Sequence, residues 1–330
     1  MIQLTKANTS KPGIGKPITV RDCILSIIIV SYNTKKVTEN CISSIYNSKW
    51  RDKFEIIVVD NNSQDGSAQM IKDMFPKVKL IENKENKLFA IANNQGAKIA
   101  NGKYLLLLNS DTIVESYNLQ KMIDYYKTIP EDVICIGPKI LNPDRSLQSC
   151  GMPEWGSPFQ QYATLYGLNK ILPLRWLCAP LDKRPNKTHR TGWVSGCCMM
   201  IPRDKYLEVG GLNENLFFYG EEPEFGYRTK RLGYKTIYFP HAEIIHLGGV
   251  ATNKSDENMH SFENDIKQYD CLVSQTVGAK KAIAITKRTI FSLRVKRLFY
   301  KNKNFIDYRI NHEKKVVKYF QNKLALRHEK

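Results

Sequence analysis

The absences in this 330-residue chain narrow its class first. Its longest apolar runs, Ile24–Val30 and Tyr104–Leu108, fall far short of the roughly 20 residues a helix needs to cross a bilayer. The N-terminus is polar, with Lys6, Lys11 and Lys16 and no apolar segment, so no signal-peptide pattern is expected there and residues 1–22 read as a loose leader. Eight cysteines are present, but no C-x-x-C pair, and adjacent Cys197-Cys198 is a poor spacing for a metal or a disulfide. Buried free thiols in a reduced, cytoplasmic chain are the expectation. No G-x-G-x-x-G follows the first strand, where Ser31-Tyr32-Asn33-Thr34 stands instead, and no P-loop lysine motif exists. Dinucleotide binding is thereby disfavoured, and any phosphate handling needs another device.

The first half of the chain is a regular alternation of strand-like and helix-like segments. Leu25–Val30, Phe54–Val59, Val78–Glu82 and Tyr104–Leu108 are short, largely apolar runs. Between them, Val37–Tyr46, Ser67–Phe75 and Phe89–Ala100 have helical spacing, the first behind a possible Asn33/Thr34 cap. Such strands predict an α/β fold with a mostly parallel sheet covered on both faces. Ligands of such sheets bind beyond the carboxyl ends of the strands. Here those ends are Ser31-Tyr32-Asn33, Asp60-Asn61-Asn62-Ser63 and Asn109-Ser110-Asp111, all polar. From about Cys135 onward, prolines and the tryptophans Trp155 and Trp176 mark a loop-rich stretch. Order returns at Trp193–Ile201, then at the short strands Thr236–Phe239 and Glu243–Leu247.

Three places carry candidate chemistry. In Gly220-Glu221-Glu222-Pro223-Glu224, three carboxylates fall within four residues at a helix start, where the dipole favours them. Crowded like charges raise the pKa of one member, which suits a general base; an acidic helix start with no chemical task is the plainer alternative. Asp111, at a strand end, can hold Mg²⁺ or Mn²⁺ together with phosphate oxygens, or can simply form a turn. His246 precedes Gly248-Gly249 and is a plausible further ligand for Mn²⁺, or a packed strand-end histidine. Asp60 can accept from the ring N–H of a uracil or thymine, or close an Asx-turn.

Taken in order, the segments Ser26–Asn33, Ile57–Ser63, Asn86 with Phe89–Gly96, Leu106–Thr112, Gly192–Gly196, Val209–Leu212, Glu221–Arg228 and Ile245–Gly249 resemble glycosyltransferase family 2. These are the inverting GT-A enzymes, and the likeness is greatest to their rhamnosyltransferase-like branch. The resemblance implies that Tyr32 and Asp60 contact the nucleotide base. It places Ser31, Asn33, Asn62, Asn86, Asn93, Ser110 and Gly196 along the nucleotide and donor, and Trp193 and Glu224 on the acceptor side. Asp111 matches the metal-binding aspartate, His246 a histidine that completes that site, and Glu222 the general base, with Glu221 as its alternative. Asn109 stands where the stricter Asp-x-Asp pattern has its first acid, Lys87-Leu88 where a glycine usually precedes the phenylalanine, and Glu-Glu in place of Glu-Asp.

The implied reaction moves a hexosyl or deoxyhexosyl unit, rhamnosyl favoured, from a dTDP- or UDP-sugar to a glycan or lipid-linked saccharide of a surface polysaccharide, with a divalent metal. A sugar-nucleotide pyrophosphorylase would need a glycine-rich nucleotide loop that is absent, and an inactive scaffold would be expected to have lost the acids or Asp111. Residues 23–265 form the expected catalytic domain, and 266–330 a basic helical extension. From Lys280 to Lys330 there are 16 Lys/Arg against 3 Asp/Glu, so the tail holds +13 of the net +18. Phe291, Val295, Leu298 and Phe299 share a helical face flanked by Arg294, Lys296 and Arg297, and Val317, Phe320 and Leu324 repeat the pattern. Such a helix can lie on an anionic membrane or dock on its own domain; nucleic-acid binding is not expected without base-stacking motifs.

Overall fold

The computed structural model describes residues 23–151, 184–216, 220–248, 279–299 and 303–326. The expected parallel unit forms from β1 (Leu25–Ser31), β2 (Phe54–Asp60), β3 (Lys79–Glu82) and β4 (Tyr104–Asn109), connected by α1 (Lys35–Asn47), α2 (Ser67–Met74) and α3 (Leu88–Ile99). These four lie in the order β3-β2-β1-β4 with every pairing parallel.

The sheet continues as β9-β6-β10-β5. It is built from β5 (Thr112–Val114), β6 (Val133–Leu141), β9 (Cys198–Pro202) and β10 (Lys235–His246), with β7 (Leu147–Ser149) beside β6 and β8 (His189–Thr191) beside β10. β9 inserts antiparallel between β4 and β6, and β5 runs antiparallel to β10. The helices α4 (Asn118–Tyr126), α5 (Arg203–Glu208) and α6 (Glu221–Arg231) complete this part.

Side-chain alternation explains the layering. Ile27 and Ile29 of β1, with Leu106 and Leu108 of β4, face a core that includes Ile42, Ile45, Met70, Leu119 and Met122 from α1, α2 and α4. Ile28, Leu105 and Leu107 face the opposite core, with Ala90 and Ala97 of α3, Tyr206 of α5 and Phe225 of α6. Both faces are therefore apolar, which is why these strands read as continuous runs. Each such buried Leu or Ile contributes about 1.5–3 kcal/mol relative to exposure.

The two short strands expected at 236–239 and 243–247 are one strand, β10, with a register shift between Phe239 and Glu243. Pro240 lies in that interval and has no N–H to give the ladder, so the irregularity falls where pairing is already broken. Trp155, Trp176, Phe217–Tyr219 and Gly249 lie outside the described residues.

In the basic extension, α7 (Ala279–Phe299) and α8 (Lys303–Ala325) form a helical hairpin. Its core is Ile290 and Leu293 against Ile306, Ile310 and Val317, with Ile283 packed beside them. The face expected from sequence to be the apolar one is the outward one: Phe291, Val295 and Leu298 are 58%, 38% and 75% exposed. The Phe299 and Lys296 side chains lie outside the described residues.

Candidate active site at the strand ends

Register brings the polar strand ends together. Ser31 pairs with Asp60, and Val30 with Asn109, so the residues after β1, β2 and β4 share one edge. Asn61 N–H donates to Ser31 O, and Asn33 N–H donates to the Ser63 hydroxyl. Asn33 and Asn62 sit at φ 53° and 65°, a left-handed region that asparagine tolerates better than most residues.

Asp60 is buried; its Oδ2 accepts from Ser63 N–H at 2.8 Å, while its buried Oδ1 has no partner among the described residues. A buried orphan acceptor is costly unless a ligand donor meets it. The Asx-type turn and an acceptor for a base N–H thus coexist on one carboxylate.

The other donor-side candidates are placed unevenly. Tyr32 is partly buried and Asn62 exposed at the edge. Asn93 donates back to Phe89 O, and its buried Oδ1 also lacks a partner among the described residues. The Asn86 side-chain carbonyl accepts from Leu88 N–H. Leu88 itself adopts φ 64°, so the position where the resemblance expects glycine keeps a left-handed backbone without one. The Ser31 and Ser110 hydroxyls are turned into a buried cluster with Thr34 and Thr38, so a donor would meet these two residues through backbone.

Asp111 and His246 meet directly. β5 begins one residue after Asp111 and pairs with β10 so that His246 faces Thr112, and Leu247 N–H donates to Asp111 O. His246 Nε2 lies 3.1 Å from Asp111 Oδ1, with Asn109 Nδ2 at 3.5 Å. Both Asp111 and the neighbouring Ser110 are buried. Metal–ligand bonds of ~2.1 Å at right angles put neighbouring ligands about 3.0 Å apart, so this spacing suits two adjacent corners of an octahedron. Among the described residues no cluster of three or more His, Cys, Asp or Glu forms a self-sufficient metal cage. Two protein ligands, with phosphate oxygens and water for the rest, is the way Mg²⁺-type sites are commonly made.

The acid helix α6 is docked against the 192–196 loop by close glycine contacts. A Cβ on Gly226 would lie 2.4 Å from Gly192 O, and one on Gly196 would lie 2.3 Å from Glu222 Oε1. Gly196 N–H donates to Glu222 Oε1 at 2.9 Å, while Trp193 packs beside Gly226. Asp111 and Glu222 both lie close to Cys197. Burial pushes the Cys197 thiol up to about 12, and the charges of Asp111 and Glu222 add to it.

Burial raises both acids. Glu222 is held above the usual carboxylate range by desolvation, opposed by the Gly196 hydrogen bond. Glu221 is raised to about 7, first by burial and then by the charge of Glu222. Its folded value exceeds the ordinary 4.5, so between pH ~4.5 and ~7 the folded chain keeps a proton that the unfolded chain has lost. The stability contributed by protonated Glu221 is full below ~4.5 and is lost as pH rises through ~7. Glu221→Gln should therefore raise the urea midpoint at pH 8 and leave it nearly unchanged at pH 4.5. Equal shifts at both pH values would contradict the assignment.

Glu224 faces elsewhere. Its carboxylate is 1% exposed and accepts two bonds from Arg228, at 2.7 and 3.1 Å. Of the two places expected for Glu224, support of the helix or the acceptor side, the Arg228 pairing fits support of the helix. Arg228 also donates to Gly211 O at 2.6 Å and to Val209 O. The same loop is gripped from α3, where Asn94 accepts from Leu212 N–H and the Tyr206 hydroxyl and donates to Leu212 O and Glu214. Helices α3 and α6 are thus tied through residues 209–214, a link that no sequence motif revealed. Arg228→Ala strands a buried carboxylate and should cost about 3 kcal/mol in urea unfolding. A loss under ~1 kcal/mol would show that the pair is dispensable.

Comparison with known proteins bears on the family and the fold. The sequence model of glycosyl transferase family 2 matches residues 26–206. An N-acetylglucosaminyl-diphospho-decaprenol L-rhamnosyltransferase of Mycobacterium tuberculosis is 25% identical over 257 residues, covering 70% of this chain and 78% of that protein. The low-salt glycan biosynthesis hexosyltransferase Agl10 of Haloferax volcanii is 29% identical over 214 residues, covering 63% of this chain and 62% of its own length. Among solved structures, GalNAc-T7 with UDP, GalNAc and Mn²⁺ superposes with a TM-score of 0.57 at 17% identity, over 76% of this chain and 48% of that one. The sheet is that of the GT-A fold, and the chain belongs to glycosyl transferase family 2.

Proposed function

We propose that this glycosyltransferase moves a hexosyl or deoxyhexosyl unit, rhamnosyl first, from a dTDP- or UDP-sugar to a glycan or lipid-linked saccharide with inversion. The observation that carries the reading is the convergence of three features on one sheet edge: the orphan Oδ1 of Asp60, the Asp111–His246 contact, and Glu222 clamped on Gly196. The similarity to a rhamnosyltransferase acting on a lipid-linked sugar supports the sugar and acceptor classes.

In this mechanism Asp60 accepts from the base N–H and fixes the nucleotide across β1 and β2. Asp111 and His246 would hold a divalent ion at the diphosphate, and the Mn²⁺ bound to GalNAc-T7 supports that assignment. When bound, the ion neutralises charge that grows on the departing nucleoside diphosphate. Gly196 N–H fixes Glu222 Oε1, which leaves Oε2 to take the proton of the acceptor hydroxyl. The acceptor oxygen then attacks the anomeric carbon from the face opposite the leaving group, so the configuration inverts. A panel of nucleotide sugars, incubated with the purified chain in Mn²⁺ and then in EDTA, tests the reading. Turnover of a dTDP- or UDP-sugar in Mn²⁺ is expected; undiminished turnover in EDTA would remove Asp111 from its role.

The outward stripe of α7 supports contact with an anionic membrane surface, where a lipid-linked acceptor would lie. Phe291, Val295 and Leu298 are exposed, and exposed Lys287, Arg288 and Arg294 border them. No helix among the described residues is long and apolar enough to cross a membrane. Phe291→Glu with Leu298→Glu should weaken cosedimentation with phosphatidylglycerol vesicles at least tenfold, since it removes apolar insertion and adds like charge. Unchanged cosedimentation would refute membrane contact through this face.

A further inference from the structure

We propose that Gln148 is a positioning residue that fixes the imidazole of His246 with Nε2 as its metal-facing acceptor. The proposal rests on the reading that Asp111 and His246 hold the divalent ion. Gln148 lies on β7, a three-residue strand paired antiparallel with β6 beyond the sheet's main path. No motif marks it.

The geometry defines both ends of the amide. Gln148 Nε2 is 3.2 Å from the backbone carbonyl of His246 and 2.8 Å from Asn142 Oδ1. A backbone carbonyl accepts only, so the nitrogen of the amide must face it. The amide oxygen is then the atom 2.7 Å from His246 Nδ1, and an oxygen there requires Nδ1 to carry the proton. With Nδ1 protonated, neutral imidazole keeps a lone pair at Nε2, the atom 3.1 Å from Asp111 Oδ1.

With a neutral ring, Nε2 and Asp111 Oδ1 face each other as two acceptors, and either a second proton on the ring or a cation shared by both joins them. The reading that this pair holds the metal takes the cation. Ligating histidines commonly donate their second N–H to an oxygen that fixes the tautomer and ring angle, and losing that partner costs about 10–100-fold in metal affinity. Gln148 is exposed, so the lower end of that range is expected. The exposure also means that its replacement should not disturb the core.

The test uses the full chain and two readouts. First, Mn²⁺ binding is followed by the paramagnetic resonance of free Mn²⁺, with dTDP and separately with UDP. Gln148→Ala should weaken binding about tenfold, and Asp111→Asn should abolish it. Second, nitrogen-15 spectra of the metal-free imidazoles, recorded with rising pH until the ring is neutral and with His246 assigned by His246→Gln, should show Nδ1–H in the wild type and a shift toward Nε2–H in Gln148→Ala.

If Asp111→Asn abolishes binding but Gln148→Ala binds Mn²⁺ as the wild type does, or leaves the tautomer unmoved, the role of Gln148 is overturned while the metal reading stands. If Asp111→Asn binds like the wild type, or the wild type binds no Mn²⁺ with either nucleotide, the metal reading falls and the role of Gln148 falls with it.

Discussion

Glu222→Gln is expected to lower kcat by about 10²–10⁴, the usual range for loss of a general base, with little change in donor KM. The substitution is conservative where it matters structurally. Glutamine keeps a side-chain oxygen for Gly196 N–H, which now meets Glu222 Oε1 at 2.9 Å, so the docking of α6 on the 192–196 loop persists. What disappears is the ability to take a proton. Because burial holds Glu222 above the usual carboxylate range, the wild-type rate should fall as pH drops through that raised value. That acid limb should vanish in the variant. Near-normal turnover, combined with a comparable loss in Glu221→Gln, would transfer the role to Glu221. The two neighbours separate by environment: Glu221 is 4% exposed and is raised to about 7 by burial and then by the charge of Glu222, whereas Glu222 has the Gly196 N–H in addition to its own to favour its ionised form.

The second large effect is expected for Asp111→Asn. The carboxylate supplies the only full negative charge in the Asp111–His246–Asn109 group, and the amide keeps the shape while removing that charge. Charge stabilisation by a bound ion is worth several kcal/mol at the leaving group, so kcat/KM should fall about 10³-fold or more. Added Mn²⁺ should recover little of it. Full activity of the variant in EDTA would contradict a metal role for this edge of the sheet.

The parallel half of the fold was legible because β1, β2 and β4 are buried on both faces and so carry near-continuous apolar runs that stop at Ser31, Asp60 and Asn109. The same abrupt change of polarity marked the candidate site. Motif order added His246 and the acid helix, which no periodicity could have connected to Asp111. What stayed hidden depends on contacts between distant segments. Asn94 meets Leu212 across 118 positions, and Gln148 meets His246 across 98 from a short exposed strand with no pattern of its own. Arg228 looked like one of several cations at a helix end until the loop carbonyls of Val209 and Gly211 came within its reach. Helix α7 carries two apolar stripes, Ile283, Ile290 and Leu293 on one side and Phe291, Val295 and Leu298 on the other. Only the presence of α8 decides which is covered.

The most direct test of the central claim is the anomeric configuration of the product. The dTDP- or UDP-sugar selected by the donor panel would be incubated with the full chain, Mn²⁺ and a lipid-linked saccharide, and the new linkage examined by proton NMR. A single carboxylate acting as base on the acceptor, with direct displacement at the anomeric carbon, requires a product whose configuration is opposite to that of the donor. A product that retains the donor's configuration would contradict Glu222 as an acceptor-activating base, and with it the proposed mechanism.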